Sequence, residues 1–175
     1  MGRSHLTSGA LVGAIVVAVF DVHDPVTAGG IVALTAVSAL LPDFDHDDAT
    51  LPRWFGPLGR LAAWIIGRVF GHRGLTHSLL GLAILTGALA FLPLVLDAPR
   101  WIPLAVVLGS AVHIVGDCLT VSGCPLFWPA PRRFRLGPGF RTGKVFETAV
   151  LCPLMTIGTA ALLGSSLDGL SIPLT

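Results

Sequence analysis

Between positions 40 and 48 an apolar run, Leu40-Leu41, stops at Pro42 and gives way to Asp43-Phe44-Asp45-His46-Asp47-Asp48. Four carboxylates this close repel one another, so a positive partner is expected among them. Carboxylate and imidazole together suit zinc, manganese or iron better than calcium. The same stretch also reads as a solvated acidic loop after a helix, so its neighbours in the fold decide between the two. Similar residues recur at four other places: His5, the block His72-Arg73-Gly74-Leu75-Thr76-His77-Ser78, the pair His113 and Asp117, and Glu147. His113 and Asp117 stand one helical turn apart, a spacing that fits either an intrahelical hydrogen bond or two ligands of one ion. Histidines and carboxylates in this number exceed what one tetrahedral site needs. Two metals a few ångströms apart match them better, and such a pair clamps the attacking and leaving oxygens of a hydrolytic displacement.

The elements that must position these residues are membrane helices. Of the 175 residues 53% are hydrophobic and 12% charged, against about 25% charged in soluble proteins, and the mean hydropathy is +0.82. A net charge of +1 and the lack of any recognition motif exclude nucleic acid as a partner. Cys118, Cys124 and Cys152 form no C-x-x-C pair and no disulfide framework; Cys118 reads as a packed apolar residue, with soft ligation as the other option for it or Cys124. Five apolar segments are predicted, at 6–20, 26–41, 76–96, 101–118 and 145–163. The last three approach the roughly 20 residues a spanning helix needs. The first two are short and form either a spanning hairpin or a monotopic one. The first segment also has the layout of a signal peptide, with Arg3 before an apolar run, but Asp21, His23, Asp24 and Pro25 make a poor cleavage region. The expectation is a single all-α domain over 1–175, an integral membrane bundle of about five helices.

If all five segments cross, Arg3, Arg53, Arg60, Arg68, Arg73, Arg132, Arg133, Arg135, Arg141 and Lys144 fall on one side and Arg100 alone on the other. The positive-inside rule makes the basic side cytoplasmic, with the N-terminus inside and the C-terminus outside. His5, Asp43 to Asp48, His72 to His77, His113 to Asp117 and Glu147 all fall on that same side. Of the histidines only His23 does not. His5 lies in line with Gly9 and Gly13, His77 with Gly81, and His113 with Gly109. Small residues mark close helix contacts in membranes, so these imidazoles are expected to face the bundle. Thr76 is the expected N-cap of the third helix. Between Arg53 and Arg68 the alternation of Trp54, Phe55, Leu58, Leu61, Trp64 and Ile65 with arginine predicts an amphipathic helix in the cytoplasmic headgroup layer. The segment 129–144, rich in Pro, Gly and Arg, predicts an irregular loop.

The series Leu41-Pro42-Asp43-Phe44-Asp45-His46, then His72 to Ser78, then His113-x-x-Gly116-Asp117-x-x-Thr120, with an early His5 and a late Gly143-x-x-x-Glu147, resembles the YdjM family of bacterial inner-membrane proteins, described as membrane-bound metal-dependent hydrolases. The H-x-x-x-D pair is also similar to helix pairs in zinc-dependent phospholipases C. The resemblance implies a metal-dependent hydrolase of the inner membrane. The ligand cluster where headgroups meet the bundle, with basic residues nearby to receive phosphate, adds the expectation of a site at the cytoplasmic face, one or two divalent ions, zinc or else manganese, and a phosphoester of a lipid or lipid-linked molecule attacked by metal-activated water. On this reading His5, Asp43, Asp45, His46, His77, His113 and Asp117 are the candidate metal ligands. Asp45, His72 and Glu147 are the candidate catalytic residues. Arg73, Arg132, Arg133 and Arg141 would receive the phosphate. The competing expectation is a non-catalytic membrane protein with a structural metal or a transport role.

Overall fold

The structure is a computed structural model and describes residues 2–139 and 147–167, with the Glu147 side chain left aside. Among these residues there are eight α-helices and no β-strand. Helix α1 (Gly2–Val19) and α2 (Pro25–Ser38) form an antiparallel hairpin. The turn into α2 is set locally: Pro25 occupies the first helical turn, where its missing N–H costs nothing, and the Asp24 carboxylate accepts the Thr27 N–H at 2.7 Å. After α2 the chain tightens into a 3-10 turn, Pro42–Asp45. Two helices follow, α3 (Thr50–Trp54) and α4 (Gly56–Phe70), then a 3-10 turn at Leu75–His77. Helix α5 (Leu79–Ala90) is interrupted before α6 (Leu92–Leu96), where Pro93 cannot continue the hydrogen-bond ladder. Helix α7 (Trp101–Cys118) and, after a π turn at Glu147–Leu151, α8 (Cys152–Leu167) complete the bundle.

Five stretches are long and apolar enough to cross a membrane: Gly2–Val19, Pro25–Asp45, Leu79–Leu96, Trp101–Cys118 and Thr148–Leu167. The second reaches that length because the 3-10 turn extends the 14 residues of α2. Close contacts fix the directions. A Cβ on Gly9 would meet the Thr35 carbonyl at 2.7 Å, and one on Gly13 would meet the Val32 Cα at 2.7 Å, so these glycines let α1 and α2 touch backbone to backbone. Gly109 does the same for α7 against Thr35 and Ser38 of α2. Helices α1, α5 and α8 therefore start at the end where α2 and α7 finish. At the opposite end Val17, Ala28 and Ile31 form an apolar core with Trp101 and Leu163.

Two expectations need correction. Thr76 is not the N-cap of the third spanning helix: it lies in the 3-10 turn, and Ser78 Oγ caps α5 by accepting the Gly81 N–H at 3.0 Å. His77 therefore precedes that helix, so its four-residue spacing to Gly81 is not a helical one. The amphipathic segment is two helices, broken at Gly56 with φ 65°. In α4 the buried face is small, with Gly59 and Ala63. One turn on, Gly67 lets that face touch the backbone of Asp45. Leu58, Leu61, Trp64 and Ile65 lie exposed.

Candidate metal centre

Four chain segments deliver side chains to one end of the bundle. The first turns of α1 bring His5, the turn Pro42–Asp45 brings Asp43, the turn Leu75–His77 brings His77, and the last turns of α7 bring His113 and Asp117. His77, His113 and Asp117 are fully buried and His5 nearly so, at 7% exposed. His113 Nδ1 lies 2.7 Å from the Ala39 carbonyl oxygen, which can only accept, so Nδ1 carries the hydrogen and Nε2 presents a lone pair. That Nε2 lies 3.2 Å from His77 Nε2. Asp43 Oδ1 is 3.4 Å from His77 Nε2 and 3.6 Å from His113 Nε2. Asp117 Oδ2 is 3.6 Å and 3.9 Å from the same two nitrogens.

The atoms of His77, His113 and Asp117 lie close enough together to share one ion, and Asp43 stands near the same two Nε2 atoms. A tetrahedron with zinc bonds of about 2.0–2.2 Å has edges of about 3.3–3.6 Å, and the observed 3.2–3.9 Å lies within a few tenths of that. Asp117 Oδ2 is buried without a hydrogen-bond partner among the described residues. Arg73 Nη2 stands 3.1 Å from it, but donates its hydrogen to Oδ1 at 3.2 Å. The Arg73 guanidinium thus supplies one positive charge to a buried oxygen that no hydrogen bond satisfies, and a divalent ion would supply the bond it lacks. Donor chemistry, spacing and the leftover oxygen all fit a divalent ion.

His5 stacks on His113 with ring centroids 3.8 Å apart and comes within 3.7 Å of Asp117 Oδ1 through Nε2. It completes a second possible triad, His5, Asp43 and His113, beside His77, His113 and Asp117. Both triads use His113, whose one free nitrogen can serve one ion. A second ion would therefore depend on His5 and shared carboxylates.

Asp45 is not brought to the converging Nε2 atoms. Its buried carboxylate accepts from His72 Nδ1 at 2.9 Å, the Arg73 N–H at 2.7 Å and the Thr76 hydroxyl at 2.7 Å. It sits 3.5 Å from His77 on the Nδ1 side, where it fixes the ring. Burial pulls the His77 pKa down, but hydrogen bonding to Asp43 and Asp45 and the charges of Asp45 and Asp117 push it up to about 9. His46 also stays outside the ligand set: it is exposed, its Nδ1 accepts the Asp48 N–H at 3.2 Å, and its ring meets that of His72 edge-on at 4.9 Å.

A polar cavity of about 260 Å³ opens beside the cluster, lined by Asp43, His46, Arg53, His72 and Arg73 among others. Asp43, whose side chain is 21% exposed, joins this cavity to the buried ligands. Arg53 is a site residue the sequence reading missed. Its place in an amphipathic segment assigned it to headgroups, and only the packing of α3 turns it to the cavity. Arg132 and Arg133 do not line that cavity: Arg132 is exposed, and Arg133 binds the Ser122 and Gly123 carbonyls at 3.3 and 3.5 Å. Arg141, Lys144 and the Glu147 side chain lie outside the described residues.

The cysteines take no part in the ligand set. Burial, then the neighbouring Cys118 and Asp117, push the Cys124 thiol up to about 12, and its S–H donates to the His77 carbonyl at 2.8 Å. Cys118 packs with Ile114 and Leu82.

The chain matches the YdjM inner membrane protein family over residues 1–169. Inner membrane protein YdjM of Escherichia coli (strain K12) is 43% identical over 123 residues, which is 64% of this chain and 58% of that protein. YdjM of Shigella flexneri gives the same values. The uncharacterized protein YvsG of Bacillus subtilis (strain 168) is 32% identical over 153 residues, 87% of this chain and 88% of that one. The alignment thus spans less than two thirds of the length of the two YdjM proteins. No solved structure matches the chain.

Proposed function

From the premise that this chain belongs to the YdjM inner membrane protein family, we propose that it is a membrane-bound metal-dependent hydrolase of a phosphoester on a lipid or lipid-linked molecule. The observation that carries this reading is the buried triad His77, His113 and Asp117, its ligand atoms 3.2–3.9 Å apart, with Asp43 linking it to a cavity holding two arginines. A divalent ion there, zinc or else manganese, would polarise a phosphoryl oxygen and make water acidic enough to attack at neutral pH. His77, His113 and Asp117 hold that ion, with Asp43 and His5 beside them. Arg53 and Arg73 bind phosphate oxygens from the cavity wall. His72, with Nδ1 engaged by Asp45, carries a proton to or from the reacting oxygens through its other nitrogen. Arg3, Arg53, Arg60, Arg68 and Arg73 belong to the end that bears the cluster and Arg100 to the opposite one, so the site faces the cytoplasm with the N-terminus inside.

One observation favours a second reading. His77, His113 and Asp117 are wholly buried, as in closed structural metal sites. Metal analysis of the purified protein, combined with a screen of phospholipids and lipid phosphates, separates the two. The hydrolase reading expects bound zinc or manganese and release of phosphate or headgroup, both lost in His113→Ala. Protein that holds its metal yet leaves every lipid phosphoester intact, and that loses folded yield in His113→Ala, supports the structural reading instead.

A further inference from the structure

We propose that an apolar groove between α5 and α7 holds a hydrocarbon chain of the substrate, so that the molecule cleaved keeps its tail in the membrane while its phosphate meets the metal centre. The proposal rests on the hydrolase reading for the identity of the head and on the groove alone for the tail.

The groove has a volume of about 240 Å³, and no charged side chain lines it. Its walls include Pro42, Leu75, Thr76, Leu82, Leu85 and Ile114. Three of these are chain neighbours of three ligands: Pro42 precedes Asp43, Thr76 precedes His77 and Ile114 follows His113. The groove is therefore continuous with the scaffold of the metal centre. Helices α5 and α7 both belong to stretches apolar enough to span a membrane, so the groove opens to hydrocarbon rather than water. The same turn that gives Pro42 to the groove gives Asp43 to the polar cavity with Arg53 and Arg73. An occupant that satisfies both carries an anionic phosphate and a long apolar chain. A water-soluble phosphoester would leave the groove unused.

Two substitutions narrow the groove. Leu85→Trp fills it from α5. Ile84→Trp, at a residue 55% exposed, disturbs less packing and keeps the test open should the first variant not fold. Hydrolysis of dioleoyl phosphatidic acid is compared with that of its dibutanoyl analogue in detergent. The expected result is a fall of about tenfold or more in kcat/KM for the long chain and little change for the short one, since binding energy of the remote chain is used at the reacting centre. Equal effects on both substrates, or none on either, overturn the proposal and show the groove to be ordinary lipid-facing surface. Retention of dioleoyl phosphatidic acid, followed by native mass spectrometry, needs no turnover. Retention lost in the tryptophan variants, with no hydrolysis by the parent protein, keeps the groove and refutes the hydrolase. Hydrolysis of the short analogue with retention unchanged in the variants does the reverse.

Discussion

Replacing Asp45 by asparagine tests whether this carboxylate would hold the proposed metal itself or orient one of its ligands. The carboxylate is buried and accepts three hydrogen bonds of 2.7, 2.7 and 2.9 Å while standing on the Nδ1 side of His77. Asparagine keeps one acceptor oxygen. The Arg73 N–H has no alternative and takes it, the Thr76 hydroxyl can turn, and His72 can change tautomer to accept from the new amide. The fold is thus expected to survive with a cost of about 1–3 kcal/mol, the scale of a lost charge-assisted hydrogen bond. Metal affinity is expected to fall about 10–100-fold, as for other outer carboxylates of histidine ligands, or about 1.4–2.7 kcal/mol. At pH 7 part of that loss is offset, because His77 without Asp45 gives up its proton to the incoming metal more readily; near pH 9 the full loss appears. Competition with a chromophoric chelator on detergent-solubilised protein measures this. Zinc binding as tight as in the parent protein refutes the orienting role. Loss as complete as in His113→Ala would make Asp45 a direct ligand and refute the assignment to the Nδ1 side.

Three further outcomes are expected. His77 has its pKa raised to about 9 by its carboxylate neighbours, so its protonation stabilises the metal-free fold fully below about pH 6.5, and that contribution is lost as pH rises through about 9. Metal uptake must expel the same proton, so zinc affinity should climb with pH and level off near 9, with proton release detectable in a weakly buffered titration; a flat profile from pH 6.5 to 9 contradicts this. Arg53→Ala should raise KM for a phospholipid substrate by about tenfold with metal content unchanged, the size of one lost charged contact, whereas Arg132→Ala, outside the cavity, should alter neither. Gly13→Val should abolish folded yield in detergent, because its Cβ would meet the Val32 Cα at 2.7 Å and neither backbone can retreat; a normal elution profile and melting temperature would count against the close approach of α1 and α2.

The five spanning stretches were legible because hydropathy reports burial in lipid regardless of local detail, and the clustering of histidines at one end followed from their alternating chain directions. Local geometry was less legible. Asp43 and Asp45 look equivalent as Pro-Asp-Phe-Asp, yet the 3-10 turn, with three residues per turn, sends side chains two apart in different directions. One carboxylate therefore meets the Nε2 atoms and the other the Nδ1 side of His77. Pro42 at the end of an apolar run was a signal for that tighter turn. The start of α5 was misread because Thr76 and Ser78 are both good caps, and only the position of Asp45 decides which hydroxyl is used elsewhere. The Ala39 carbonyl that orients His113 leaves no trace in residue type, since any residue offers one. Arg53 was hidden by its apolar neighbours: it is exposed like Trp54 and Phe55, yet it lines the cavity as well.

X-ray absorption at the zinc edge of the zinc-loaded protein in detergent tests most directly the proposal that His77, His113 and Asp117, with Asp43 and His5 beside them, hold a divalent ion. The account predicts a first shell of nitrogen and oxygen at about 2.0–2.1 Å with the multiple-scattering pattern of two or three imidazoles and no sulfur. His113→Ala should abolish stoichiometric zinc. A sulfur shell near 2.3 Å, the distance of a Cys118 or Cys124 thiolate, or a protein that retains no metal at any pH up to 9, would contradict it.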